Sequence, residues 1–194
     1  CAYTYNIPID ILKNYLNFFA FVNDSAPIPY YMDTIYPYKG SALYIDYAPM
    51  IMVPLKIILR YVLHYKEIVN IQYVWWFGAI CFILQGIISF KLIKKITNTA
   101  DFNAIICSIF FVIAPVMLFR FPVHFTLCAQ FLILLSLFPF VFNLSKKQLI
   151  ILYLLLGFIS VGIHSYFFPM IFFNFFAYFI YKVIKKEDIK FNIG

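Results

Sequence analysis

The sequence contains little charge. Of its 194 residues, 12% are charged, whereas 64% are hydrophobic and 22% are aromatic. Soluble domains carry about 25% charged residues, so this composition excludes an ordinary water-soluble protein. Lipid is the solvent that can cover so much apolar surface. The sequence therefore predicts an all-α, polytopic helical membrane protein, with membrane lipid as its first partner.

Acidic residues are scarce even among the few charges. The chain has 8 Asp and Glu against 15 Lys and Arg, which gives a formal net charge of +7. In a soluble protein such an excess would suggest nucleic acid. Here the lysines lie beside apolar segments, where membrane topology and anionic lipid headgroups explain them. We therefore expect no nucleic-acid partner, and the sequence leaves the oligomeric state open.

Cysteine spacings typical of metal or redox sites are missing. The 4 cysteines include no CxxC pair and no Cys/His cluster with metal-ligand spacing. Three of them, Cys81, Cys107 and Cys128, fall within apolar segments, which predicts buried reduced thiols. No cofactor is certain from the sequence; a divalent cation bound by loop carboxylates stays open.

Long apolar runs predict the membrane-spanning part. The run from Phe102 to Phe142 would form a helix about twice as long as a bilayer core of about 30 Å is thick, so it must turn back at Arg120–His124. The run from Leu149 to Tyr181 likewise turns at His164. Five spans are predicted, at about residues 72–90, 103–119, 125–142, 149–163 and 166–181.

Residues 1–70 are predicted to form a long external loop with amphipathic interfacial helices, and residues 71–194 the transmembrane bundle. In Met50–Tyr65, the basic residues Lys56, Arg60 and His64 follow one another at every fourth position. This stripe favours a helix that lies in the interface over one that crosses the bilayer. Both ends of the sequence look cut, and we expect a bundle that is truncated at each.

Lysine positions predict the orientation. The loops at about residues 91–101, 143–148 and 182–190 hold nine lysines, whereas the two opposite tips hold one arginine, Arg120. By the positive-inside rule the lysine-rich loops are cytoplasmic, and residues 1–70 and both tips lie outside. The predicted location is an integral, multi-pass protein of the bacterial inner (cytoplasmic) membrane.

Most residues with chemical potential fall on the predicted external side. Carboxylates at a bilayer surface suit a general base or a metal ligand, and Arg and His suit a phosphate at headgroup level. The simpler readings are a solvated loop aspartate, an arginine that snorkels at a helix end, and an interfacial histidine. The candidates are Asp10, Asp24, Asp33 and Asp46 as acids, and Lys56, Arg60, Arg120, His124 and His164 as phosphate-binding groups.

Several short motifs occur in a fixed order along the chain. They are Asp10, Ala26-Pro27, Tyr36-Pro37, Tyr44-Ile45-Asp46, Gln72-Tyr73, Leu84-Gln85-Gly86, Phe119-Arg120, His124-Phe125 and His164-Ser165-Tyr166. In these motifs the chain resembles an uncharacterised family of bacterial multi-pass membrane proteins. That family is similar in topology to the GT-C glycosyltransferases, whose first external loop forms the active site.

The resemblance implies an enzyme that transfers a sugar from a polyprenyl-phosphate-linked donor on the external face. Asp10 would take the proton of the acceptor hydroxyl, and Asp46 would orient the acceptor or a metal ion. Arg120 and His124, with His164, would stabilise charge on the phosphate leaving group. The alternatives are a non-enzymatic lipid or polysaccharide transporter, in which these cations line a headgroup path, and a structural assembly subunit.

Overall fold

The computed structural model describes residues 16, 19–24, 31–32, 40–41, 48–65 and 73–185. The fold is all-α. Its α-helices are α1 Pro49–Lys56, α2 Tyr73–Thr97, α3 Asp101–Val112, α4 Pro115–Val123, α5 Phe131–Ser136, α6 Phe138–Val141, α7 Lys146–Ile163 and α8 Phe167–Ile184. Residues 19–23 are also helical. Two short strands, Tyr31–Met32 and Gly40–Ser41, pair antiparallel.

Two prolines shape α1. Pro49 begins α1 at a position where a missing N–H costs nothing, after Ala48 in a left-handed conformation (φ 53°). Pro54 inside α1 removes one backbone hydrogen bond. The helix continues with wider π-type bonding over Ile57–Val62 and is capped by Leu63, after which His64 has a φ of 49°.

Among the described residues, three helices are long and apolar enough to cross a membrane, namely α2, α7 and α8. A fourth candidate is the pair α3 and α4, which is bent by 44°. The bend follows from Pro115, because a residue before proline is driven out of the helical region, and Ala114 is extended (ψ 139°). The structure therefore supports an integral multi-pass membrane protein, with three or four candidate spans in the part of the chain that it describes.

The predicted span 125–142 consists of short helices instead of one straight rod. A 3₁₀-helix, Phe125–Cys128, precedes α5 and α6. Pro139 has no N–H to offer the carbonyl of Leu135, and the N–H of Phe140 donates to Leu137 (3.1 Å). None of residues 124–142 is exposed. A helix broken within a membrane is tolerated only where protein covers its backbone, and residues 124–142 meet this condition because none of them is exposed.

The helices run antiparallel, which gives the bundle two distinct ends. Val112 lies beside Gly86, and Phe121 lies against Gly78, so α3 and α4 run back along α2. The lysine end holds the C-termini of α2 and α8 and the N-terminus of α7. Its lysines are Lys91, Lys94, Lys95, Lys146, Lys147, Lys182 and Lys185. The turn end holds the two turns at 120–124 and 164–166.

A hydrophobic core joins the elements near the turn end. It includes Phe21 from the segment 19–23, Met52 from α1, Phe77 from α2, Phe125 from the 3₁₀-helix and Phe167 from α8. The outer faces of the long helices are apolar as well: Phe158 on α7 is 71% exposed, and Phe173 on α8 is 69% exposed. Since exposed side chains of this kind need lipid around them, the burial pattern agrees with a membrane bundle.

Candidate functional site

His164 lies where α7 ends. It is extended (φ −159°, ψ 122°), and its Nδ1 accepts a hydrogen bond from the backbone N–H of Tyr166 at 3.3 Å. The imidazole also lies 4.6 Å from the Tyr166 ring, measured between centroids. An Nδ1 that accepts a hydrogen bond puts the proton of a neutral ring on Nε2. The contacts with Tyr166 therefore hold the His164 ring in one orientation at the end of α7.

Arg120 lies in the last turn of α4 and is exposed. Within the described part of the chain its guanidinium forms no hydrogen bond or ion pair. Its neighbours Phe119 and Leu118 are 75% and 51% exposed. An arginine at a helix C-terminus is favoured by the helix dipole, and one surrounded by apolar surface is suited to a lipid phosphate.

The turn that carries Arg120 and His124 is fixed by aromatic contacts with α2. Phe121 packs edge-on against Trp75 and Phe82, with ring centroids 5.3 and 5.7 Å apart. On the other side of the turn, Phe125 meets Phe77 at 5.5 Å. These rings hold the turn in one place, so its polar groups have defined positions.

Lys56 and Arg60 face the helical segment 19–23. Lys56 is fully buried, with its ammonium 4.6 Å from the centroid of the Phe21 ring. Arg60 donates from Nε to the carbonyl of Val22 (3.0 Å) and from Nη2 to Asn23 Oδ1 (2.6 Å). Lys56 and Arg60 of the predicted polar stripe thus contact the helical segment 19–23 and hold it against this part of the chain.

The structure brings α1 close to the His164 turn. Met50, at the start of α1, lies against Gly162, and a Cβ built on this glycine would be 2.6 Å from the Met50 Cβ. Lys56 is at the opposite end of α1 from this contact, and Arg60 lies in the π-helical segment that follows. Arg120 and His124 belong to the other turn, which packs against α2 through Phe121 and Phe125.

The two predicted catalytic acids, Asp10 and Asp46, lie outside the described residues, as does Asp33. Asp24 is described and is partly buried, just after the helical segment 19–23. Across the ranges the structure describes, no three His, Cys, Asp or Glu side chains are grouped as metal ligands. The roles of Asp10 and Asp46, and a divalent cation bound by them, stay predictions.

One feature near the candidate site has no sequence motif. An apolar groove of about 250 Å³ lies between α7 and α8. Its lining residues are Ile150, Tyr153, Leu154, Gly157, Phe168, Ile171, Phe172 and Phe175. Among the lining residues Phe168 is the nearest to His164 in sequence, and the preceding Phe167 ring lies 6.4 Å from the His164 imidazole, measured between centroids. The only local signal was a glycine, Gly157, in a leucine-rich helix.

Sequence reasoning also missed a polar network beneath this groove. The Tyr153 hydroxyl donates to the backbone carbonyl of Ser136 (2.9 Å), and Asn174 Nδ2 donates to the Ser136 hydroxyl (2.7 Å). The Ser136 carbonyl is available because Phe140, which follows it by one turn, donates to Leu137 instead. The network joins α5, α7 and α8 at the position where the central segment is broken.

Comparison with known proteins places the chain in one family. Residues 2–193 match the family described as "Domain of unknown function (DUF6311)", and the chain belongs to that family. No curated protein and no solved structure matches it.

Proposed function

We propose that this member of the DUF6311 family is a membrane glycosyltransferase with GT-C-like topology, which uses a polyprenyl-phosphate-linked sugar as its donor. The observation that carries the proposal is the apolar groove between α7 and α8, whose lining includes Phe168, next to the Phe167 ring that contacts His164. A polyprenyl phosphate has an apolar chain that suits such a groove. It also has an anionic head, which suits the polar turn at 164–166.

In this proposal the chain crosses the membrane five times, with residues 125–142 as the covered central crossing. Residues 1–70 and both turns face the outside of the bacterial cytoplasmic membrane. The donor phosphate lies at the turn end, which carries Arg120, His124 and His164, and its chain descends between α7 and α8.

The reaction assigns a proton and a leaving group to named residues. Asp10 accepts the proton of the acceptor hydroxyl as that oxygen attacks the sugar, and Asp46 orients the acceptor or a divalent cation. The bond between the sugar and the phosphate oxygen breaks, and the polyprenyl phosphate leaves with the negative charge. Arg120, His124 and His164 stabilise that charge. Lys56 and Arg60 act by fixing the helical segment 19–23, which lies between Asp10 and Asp46 in sequence.

The test is sugar transfer by the full-length protein in membranes, using a panel of polyprenyl-phosphate-linked hexoses and pentoses. Replacement Asp10→Asn removes the base with little change of shape and should lower the rate by at least about 10²-fold, the lower range for acid–base catalysis. Asp24→Asn, at equal protein abundance, should leave the rate nearly unchanged. Near-normal transfer by Asp10→Asn would remove Asp10 from the mechanism.

The groove is tested by a pair of changes at one position. A Cβ at Gly157 would lie 3.7 Å from Phe168 Cε2, an ordinary contact, so Gly157→Ala should transfer normally. Gly157→Leu puts a branched chain into the groove and should raise the donor KM while the acceptor KM stays the same. Equal donor KM values for the two variants would refute the assignment of the groove. Donor binding with no transfer by the wild-type protein would favour a lipid or polysaccharide transporter.

A further inference from the structure

A cleft at the lysine end of the bundle has both cationic and aromatic walls. It is about 660 Å³ in volume and lies between the C-terminus of α2 and the segment Phe138–Phe142. Its cations are Lys91, Lys94 and Lys95, and Asn98, Phe90, Phe138 and Phe142 complete the lining. This volume is within the range of about 300–1,000 Å³ that small-molecule sites occupy. The cleft is at the opposite end of the bundle from His164 and is independent of the proposed transfer reaction.

Two of the three lysines are available to a ligand. Lys94 forms an ion pair with Asp101 and lies over the Phe90 ring, 6.0 Å from its centroid. Lys91 and Lys95 are one helical turn apart and exposed, and within the described ranges neither takes part in a hydrogen bond or ion pair. The cleft therefore carries two positive charges in excess, at a spacing that can hold one phosphate group.

The backbone at the end of α2 adds a fixed polar group. Asn98 adopts a left-handed conformation (φ 48°), and its N–H donates to the carbonyl of Lys94 at 3.0 Å. This arrangement closes the helix and turns the chain sharply, and the Asn98 side chain lines the cleft. An amide that can donate thus stands beside two ammonium groups.

The outer face of α2 continues from the cleft towards the middle of the bundle as an apolar stripe. Ile80, Ile83 and Ile87 are 54%, 61% and 47% exposed. Together with Lys91 and Lys94 they follow a spacing of three or four residues, so they share one helix face. An apolar stripe that ends in cations is complementary to an anionic lipid, whose acyl chains would lie along the isoleucines and whose anionic head would lie at the lysines.

We propose that this cleft binds the phosphate group of an anionic phospholipid whose acyl chains lie along the outer face of α2. The head is held by Lys91, Lys95 and Asn98, and the Phe138 and Phe142 rings cover the glycerol region. The site would select lipid by charge and would anchor the bundle in the leaflet at the lysine end.

The test measures binding of phosphatidylglycerol to the detergent-solubilised full-length protein by native mass spectrometry. The double variant Lys91→Gln/Lys95→Gln should bind the first phosphatidylglycerol at least about tenfold more weakly, since each lysine near a lipid phosphate contributes about fivefold. The matched control is Lys146→Gln/Lys147→Gln, which removes the same charge at the same end but outside the cleft. It should change the affinity less than about twofold, and Lys91→Arg/Lys95→Arg should retain binding.

Three results would overturn the proposal. Equal weakening by the two glutamine variants would mean diffuse surface charge and no defined site. Equal affinity for phosphatidylcholine would show that the site does not distinguish an anionic headgroup from a zwitterionic one. Displacement of the lipid by inorganic phosphate at comparable concentration would identify a site for a free anion. Thermal unfolding of each variant shows whether it is folded, and the exposed positions of Lys91 and Lys95 make the substitutions mild.

Discussion

Gln85 and Asn174 are amide side chains in the middle of apolar helices, but their surroundings differ. Asn174 donates to the Ser136 hydroxyl at 2.7 Å. Gln85 is 5% exposed, and within the described part of the chain its Oε1 has no hydrogen-bond partner. A buried acceptor without a donor costs free energy, whereas a satisfied one contributes modestly. The two amides should therefore respond in opposite ways to replacement by leucine.

We expect Gln85→Leu to keep or raise the midpoint of thermal unfolding in detergent micelles, because it removes an unsatisfied carbonyl at similar volume. Asn174→Leu should lower the midpoint, because the free energy of unfolding loses about 0.6–2 kcal/mol, the value typical of hydrogen bonds between membrane helices. The comparison needs both variants in the same detergent. A clear loss of stability in Gln85→Leu would show that its amide does have a partner in the folded protein.

At this scale the sequence predicted the positions of isolated polar groups but not their partners. His164 lies between α7 and α8 as predicted, because a polar group inside a span is expensive and the pattern of apolar runs shows where spans end, whereas Arg120 lies within the last helical turn of α4. The network of Ser136, Tyr153 and Asn174 was not predictable. Its members lie on three helices, and a serine or tyrosine in an apolar helix looks the same whether it faces lipid or another helix.

At the scale of elements, apolar composition predicted that a segment lies in the membrane but not whether lipid or protein surrounds it. Residues 125–142 and residues 149–163 are similarly apolar, yet the first segment is broken and covered, whereas the second is a continuous helix with exposed leucines. The physical reason is that only a covered segment can leave the helical hydrogen-bond pattern. Pro139 marks one break locally, but the cover comes from other helices.

Two glycines on α2 show how closely elements approach. A Cβ at Gly78 would overlap the ring of Phe121, whose position is also set by Trp75 and Phe82. A Cβ at Gly86 would meet Val112 Cγ2 at 3.3 Å, which a shift of a few tenths of an ångström relieves. Both glycines are in the same helix, so they share any effect of helix propensity.

Gly78→Ala should therefore destabilise the protein by about 1–3 kcal/mol, the usual cost of overpacking, and displace the turn that holds Arg120. Gly86→Ala should be nearly neutral, since its contact is small and alanine favours the helix. The measurement is the unfolding midpoint of both variants in one detergent. Adding Phe121→Leu to Gly78→Ala should recover part of the loss. Equal midpoints for the two alanine variants would contradict the described packing of Phe121.

At the scale of the whole molecule, the two ends of the bundle differ in chemistry. One end gathers lysines from α2, α7 and α8, and the other carries the turns with Arg120 and His164 and packs against α1. The antiparallel run of the helices makes this separation a property of the fold. By the positive-inside rule we expect the lysine end, with the proposed lipid cleft, to face the cytoplasm and the proposed transfer site to lie outside.

This orientation is tested by single cysteines at exposed positions, in a background without native thiols. Lys147 and Ser165 are both exposed, so a difference in their labelling reports the side of the membrane and not burial in the protein. An impermeant thiol reagent applied to intact cells should label Ser165→Cys and not Lys147→Cys, and a permeant reagent should label both. Reversed labelling would put His164 in the cytoplasm, where a donor presented on the external face could not reach it. The proposed direction of transfer would then fail even if the groove binds a polyprenyl chain.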